Sequence, residues 1–317
     1  MEPKVIVLGG SLLVPNVQEL AKEPLTRVPP RYIRPGQDSP IISSPPSSRP
    51  QVPVIDMKRL LSQDWVHAEV EKLHLACIDW ASFSCSLLDK LKEETQEFFK
   101  LPLDEKKKYR QELGDVEGFG QAFVVSKEQK LDWSDMFGIV TLPSDLRKPH
   151  LLPKLPHSFR DAIEEYSKEV EKLALKTLMF MAKALKMEDE EMKVLFSDRL
   201  QSMRMNYYPP CPQPEQVIGF TPHADASGVT FLIQVDQMVS NGEYKSIEHR
   251  AVVNTEKERI SIATFISPNL EMEIGPALSL VTHETPARFT RIAFADFFKN
   301  FFSRELNSKS NIEQYYI

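Results

Sequence analysis

Two imidazoles, a carboxylate, a guanidinium and a hydroxyl stand within one short stretch: His223-Ala224-Asp225, then His249, then Arg259-Ile260-Ser261. Two His and one carboxylate can occupy one face of an Fe(II) ion and leave the other face open to substrate and oxygen. An Arg with a hydroxyl two residues on can clamp a carboxylate through charge-assisted hydrogen bonds. Taken singly, each residue has a plainer reading. His-x-Asp recurs by chance, a lone His sits on surfaces and in cores, Arg259 could flank a turn, and Tyr207 and Tyr208 could pack under the prolines that follow. The order and spacing of the whole set favour a metal site.

Strand periodicity is what would bring these groups together. Residues i and i+2 of a strand share a face, so His223 and Asp225 point one way, as do Arg259 and Ser261. From residue 202 the pattern turns strand-like: Met203, Met205 and Tyr207 alternate with Arg204, Asn206 and Tyr208. Gly228 to Val235 is β-rich. Ser246 to Val253 and Arg259 to Ile266 read as two arms of a hairpin around Asn254 to Glu258, with Val253 opposite Arg259. That register places His249, Arg259 and Ser261 on one wall. Further runs at Val54 to Asp56, Phe119 to Val125 and Trp133 to Val140 also read as strands.

Helical spacing occurs over 66–80, over 87–100 and from Pro156 to Met187. The last has Ser158 as its cap and Phe159, Ile163, Tyr166, Val170, Leu173, Phe180 and Leu185 on its buried side. Residues 1–27 predict a short strand and a small helix near Val17 to Ala21. Residues 28–53, rich in Pro and Ser, predict an extended, partly mobile connector. After Pro268 a polar loop leads to a C-terminal helix, Phe294 to Leu306. The resulting plan is an arm and linker (1–53), a mainly helical region (54–196), a β core (197–290) and a terminal helix (291–317).

Composition bounds the partners. The 317 residues are 42% hydrophobic and 26% charged, enough apolar material for a sizeable core. A net charge of −6 gives no reason to expect nucleic acid or an anionic membrane. Cys77, Cys85 and Cys211 form no zinc or disulfide pattern and suit a reducing, cytoplasmic setting. The apolar run Val5 to Pro15 is too short to span a bilayer and lacks the basic start of a signal peptide. The expectation is a cytoplasmic monomer acting on a small molecule.

The motif set resembles the plant Fe(II)/2-oxoglutarate-dependent dioxygenases, in the branch with senescence-related, S-norcoclaurine-synthase-like and alkaloid O-demethylase proteins. The resemblance is carried by Val52-Pro53-Val54-Ile55-Asp56, Leu131-Asp132-Trp133, Met203 through Pro212, Thr221-Pro222-His223-Ala224-Asp225, Asn241 through Ser246, His249 through Asn254, and Arg259-Ile260-Ser261. It covers nearly the whole chain. It implies an α+β fold built on a double-stranded β-helix (jelly roll) with flanking helices. It implies Fe(II) on His223, Asp225 and His249. Arg259 and Ser261 would hold the distal carboxylate of 2-oxoglutarate, with Asn206 and Tyr208 also touching that cosubstrate and Phe265 lining the substrate space. O2 would be consumed, ascorbate would serve as reductant, and a small specialised metabolite would be hydroxylated or O-demethylated.

Two stretches depart from the family pattern. His249 follows Asp225 by only 24 positions, roughly half the family interval, and the strands that belong there are missing around Gln237. Near Trp80, a strand and an Asn-His-Gly turn are absent. The jelly roll is therefore expected to be incomplete, open on one side, with its ligand set retained. Two rival readings follow: a catalytically impaired isoform that acts as an interaction partner or decoy, and, by analogy alone, a norcoclaurine-synthase-like condensing activity.

Overall fold

The computed structural model describes residues 10–34, 87–231, 234–235, 249–306 and 311–317. The expected strand at 54–56, the helix at 66–80 and both family gaps, at Trp80 and at Gln237, lie outside them.

The fold is built on one large antiparallel sheet with helices on one face and a cavity on the other. Its six strands run in the order β1 (Gly118–Gly120), β2 (Asp135–Leu142), β3 (Leu200–Tyr208), β8 (Arg259–Ser267), β5 (Val229–Thr230) and β6 (Gln234–Val235). β3 and β8 pair along their whole lengths, from Leu200 opposite Ser267 to Tyr208 opposite Arg259. Strand parity then divides their side chains. Met203, Met205 and Tyr207 of β3, with Ile262 and Ile266 of β8, turn toward the helices and join the main apolar core. Arg204, Asn206, Tyr208, Ser261, Ala263 and Phe265 line the cavity.

The helical layer comes from α2 (Leu87–Lys100) and α4 (His157–Leu185), with the single turn α3 (Leu103–Lys106) and then strands β1 and β2 between them in sequence. α4 buries Phe159, Ile163, Tyr166, Val170, Ala174, Leu178, Met181 and Leu185 at helical spacing. Leu173, expected on that stripe, is only partly buried. Phe98 of α2 stacks on Phe137 of β2 with ring centroids 4.6 Å apart, and Phe159 joins them at 5.7 Å. Each fully buried side chain of this size gains about 1.5–3 kcal/mol from leaving water, before the entropy of ordering it. Thr264 Oγ1 reaches the Tyr166 hydroxyl at 3.3 Å, tying β8 to α4. Past α4 follow α5 (Asp189–Leu195) and, near the C-terminus, α6 (Phe294–Phe302).

A second, two-stranded sheet pairs β4 (Phe220–His223) with β7 (His249–Ala251). The expected hairpin between 246–253 and 259–266 does not form. β7 goes to β4, whereas β8 enters the large sheet, and the link between them crosses from one sheet to the other. Asn254 makes that crossing: its Oδ1 accepts the Glu256 and Lys257 amides at 2.7 and 3.1 Å. The reason is ladder length. A nine-residue match to β3 satisfies far more of β8's amides than three residues of β7 could. Gly219, just before β4, has no room for a side chain: an added Cβ would sit 2.9 Å from the Tyr208 ring.

Four further expectations change. Ser158 does not cap α4. Pro156 occupies the cap position, and the Ser158 hydroxyl turns to Glu94 at 3.2 Å. The run Phe119 to Val125 yields only β1, which stops at Gly120; beyond it Phe123 takes a left-handed backbone (φ 63°) incompatible with a continuing strand, and its ring stacks on Phe302. The loop after Pro268 contains a small ladder, β9 (Glu273–Ile274) with β10 (Ile292–Ala293), and α6 stops at Phe302. The first residues of the expected connector, 28–34, are packed: Val28 and Tyr32 are buried, and Tyr32 meets Trp133 edge-on at 5.2 Å. Upstream, α1 (Val17–Leu20) takes its cap from β2. The Asp135 carboxylate accepts the Val17 and Gln18 amides at 3.0 and 2.8 Å, and burial pushes its pKa up to about 6.

Among the described residues the second sheet has two strands, fewer than a sheet needs for independent stability. The full chain is expected to unfold below the ~45–65 °C typical of mesophile domains, with less strand signal by circular dichroism than a relative carrying the longer interval. A cooperative melt within that range, with undiminished strand signal, would contradict the incomplete jelly roll.

Candidate active site

All eight residues singled out from the sequence lie around one cavity between the two sheets. β4 supplies His223, the turn after it supplies Asp225, and β7 supplies His249. Cross-strand pairing sets His223 opposite His249, and their ring centroids are 4.3 Å apart. One ligand atom from each of His223, Asp225 and His249 lies within 4.8 Å of the others, so the three can share a single metal ion.

The protonation of His223 follows from its neighbours. Nδ1 is 2.9 Å from the Thr221 carbonyl oxygen. A carbonyl oxygen only accepts, so Nδ1 carries a hydrogen, which leaves Nε2 as the ring atom available to a metal. That Nε2 faces Asp225 Oδ1 at 3.3 Å. Burial alone would raise the Asp225 pKa. With a proton on Nε2 as well, the hydrogen bond and charge of His223, with the charge of His249, outweigh burial and hold the carboxylate below its usual value, a role a bound cation would take over in place of that proton. Two neutral-capable imidazoles and an ionised carboxylate, partly withdrawn from water, are a fitting donor set for Fe(II).

The facing wall belongs to β3 and β8. Asn206 lies opposite Ser261 and Tyr208 opposite Arg259. Asn206 Nδ2 donates to Ser261 Oγ at 3.3 Å, and Ser261 Oγ reaches the Tyr208 hydroxyl at 3.4 Å. The Arg259 guanidinium lies over the Tyr208 ring, 5.1 Å from its centroid, within cation–π range. Arg259 is exposed at the mouth, while Asn206 and Tyr208 are buried. The parity expected for Arg259 and Ser261 is present. His249 meets them from the opposite sheet, not along the same wall.

Several lining residues went unnoticed in the sequence. Arg204 projects beside Asn206, donates from Nε to Asn206 Oδ1 at 2.7 Å, and stacks on the Phe220 ring at 4.1 Å. Its place on the polar side of β3, in step with Asn206 and Tyr208, was a usable signal. Phe123, with Phe298, Phe301 and Phe302 of α6, closes an apolar end. The Phe-rich run of α6 hinted at packing but not at this cavity.

The comparisons with known proteins agree with this geometry. Residues 52–155 match the N-terminal domain of the non-haem dioxygenase in morphine synthesis. Residues 200–238 and 234–268 match the 2OG-Fe(II) oxygenase superfamily, in two pieces that meet where the chain is short. The chain is 48% identical to oxoglutarate-dependent flavonoid 7-O-demethylase 1 of Ocimum basilicum, over 96% of this chain and 92% of the relative. It is 43% identical to codeine O-demethylase of Papaver somniferum, over 98% of each. That alignment runs over 354 positions against 317 residues here, so the relative carries internal segments this chain lacks. The crystal structure of JOX2 in complex with 2OG, Fe and JA superposes with a TM-score of 0.83 at 28% identity, covering 96% of this chain and 98% of that one.

This chain belongs to the plant 2OG-Fe(II) oxygenases, with a double-stranded β-helix fold. It is a dioxygenase of plant specialised metabolism that uses Fe(II) and 2-oxoglutarate. Among the described residues no helix is long and apolar enough to cross a membrane.

Three donors this close should outcompete water for one divalent cation. Anaerobic titration of the full chain with Co(II) is expected to saturate at one equivalent, and His249→Ala should abolish saturation while leaving the circular dichroism unchanged. Equal binding by the variant would remove His249 from the site.

Proposed function

We propose that the chain oxidises an O-methylated or hydroxylated aromatic metabolite, with His223, Asp225 and His249 as the iron ligands. The observation that carries this reading is the convergence of those three donors in a cavity that is also walled by Phe123, Phe220 and Phe298, Phe301 and Phe302 of α6. Ser261 and Arg259, with Asn206 and Tyr208 across the ladder, form the cosubstrate wall: Arg259 takes the distal carboxylate of 2-oxoglutarate, and the neighbouring hydroxyls and amide orient it. Phe265, in step with Ser261 on β8, lines the substrate space. The flavonoid and codeine O-demethylases that this chain resembles support an aromatic ether as the substrate.

With iron, 2-oxoglutarate and ascorbate present, one O2 is consumed: 2-oxoglutarate becomes succinate and CO2, and the second oxygen atom enters a substrate C–H bond. For a methoxy group the hydroxylated carbon leaves as formaldehyde and a phenol remains. The protein's share is to orient the bound groups and keep the reacting end dry. In this reading the β core (197–290) supplies the site residues, the mainly helical region (54–196) adds β1 and β2 to the same sheet, the terminal helix (291–317) closes one side, and 1–53 is assigned as arm and linker. The chain acts as a cytoplasmic monomer.

A second reading, a catalytically impaired isoform, is favoured by two observations. The superfamily match breaks at 234–238, and Arg259 lies exposed where a carboxylate clamp gains most from exclusion of water.

Succinate formation separates them. The full chain, supplied with Fe(II), 2-oxoglutarate, ascorbate and a panel of methoxylated flavonoids and alkaloids, is expected to release succinate and formaldehyde in equal amounts. Arg259→Gln should raise the KM for 2-oxoglutarate roughly tenfold. Absence of turnover across the panel, with activity gained when the missing interval is restored from a relative, would establish the impaired reading.

A further inference from the structure

The described part of the N-terminal arm ends on a cation that reaches the metal-facing histidine through two residues. Arg34 Nη2 donates to Asp132 Oδ1 at 2.9 Å and to Thr221 Oγ1 at 2.8 Å. The Thr221 hydroxyl donates to Asp132 Oδ1 at 2.6 Å, and the Thr221 amide donates to Asp132 Oδ2 at 3.1 Å. The carbonyl of Thr221 accepts His223 Nδ1 at 2.9 Å.

The ladder explains why this matters. β4 and β7 pair at Phe220–Ala251 and at His223–His249, with an irregularity between. The Thr221 amide therefore finds a carboxylate in place of a strand partner, and Pro222 has no amide hydrogen to offer. The two residues that lead into His223 are held by side chains from elsewhere in the chain.

We infer that Arg34 and Asp132 are positioning residues for His223. Their ion pair fixes Thr221, whose carbonyl keeps the imidazole in its Nδ1–H form and aims Nε2 at Asp225. This rests on the proposed reading of His223 as an iron ligand. It also makes the arm a working part of the metal site. Val28 and Tyr32 dock beside Trp133, the Arg34 amide donates to the Gln216 carbonyl at 2.9 Å, and the Leu131 amide donates to the Arg31 carbonyl at 3.0 Å. Docking of the arm and alignment of the ligand are one event. Outer partners of metal-bound imidazoles typically contribute 10–100-fold in metal affinity.

The test is Co(II) affinity of the full chain, measured anaerobically by titration and by the visible d–d bands of the bound ion. Arg34→Gln and Asp132→Asn are expected to weaken Co(II) binding about tenfold or more and to alter the bands, with Arg34→Lys restoring part of the loss. Lys172→Gln, which removes an exposed ion pair with Glu169 on α4 away from the arm and the cavity, should leave both readouts unchanged. Thr221→Val keeps the shape and the carbonyl but removes the hydroxyl. It decides the matter if the charge variants fold poorly, and it too should weaken binding. Wild-type affinity and bands in folded Arg34→Gln and Thr221→Val would overturn the inference. Failure of the unmodified chain to bind Co(II) would instead overturn the ligand assignment beneath it.

Discussion

The site depends on a short pairing: β4 against β7, which sets His223 beside His249. Two imidazoles and a carboxylate do not gather within 4.8 Å at no cost. Each must shed water, and the carboxylate must stay ionised while buried. Asp225 manages this because His223 and His249 face it. The arrangement is stable as a unit: remove one imidazole, and the buried carboxylate loses part of what keeps it charged.

The large sheet answers the second requirement, a wall that carries polar groups toward the cavity and apolar groups away from it. β3 and β8 meet it by parity. One face feeds Met203, Met205, Ile262 and Ile266 into the helical core; the other presents Asn206, Tyr208, Ser261 and Phe265. A register slip of one residue in either strand would bury the polar set and expose the apolar one, so core packing and site chemistry are specified together. The small sheet has no comparable reserve. Its four-residue strand β4 is held by side-chain bonds from Asp132 and Arg34 to Thr221, which is how an arm distant in sequence reaches the site.

The site was legible in the sequence further than the fold was. Period-2 spacing placed Arg259 with Ser261 correctly, because strand parity is local; Asp225 meets His223 from the turn after β4. It failed on which strands pair. Residues 249–266 look like a hairpin, but in a double-stranded β-helix successive strands alternate between sheets, and the nine-residue match of β8 to β3 decides the outcome. Tertiary partners also overrode local signals elsewhere. Ser158 turned to Glu94, Asp135 capped a helix 118 residues away, and Pro-rich residues 28–34 packed because Val28 and Tyr32 found Trp133. Asp132 and Arg34 could not be linked from the sequence, since nothing local joins a connector arginine to a motif aspartate.

The central claim is that one Fe(II) ion sits on His223, Asp225 and His249 with 2-oxoglutarate beside Ser261 and Arg259. A 2-oxo acid chelated to ferrous iron produces a visible charge-transfer band that neither component shows alone. Anaerobic addition of 2-oxoglutarate to the Fe(II)-loaded full chain should produce that band, and His223→Ala should lose it. No band in the loaded, folded chain, or an identical band in the His223→Ala variant, would contradict the account.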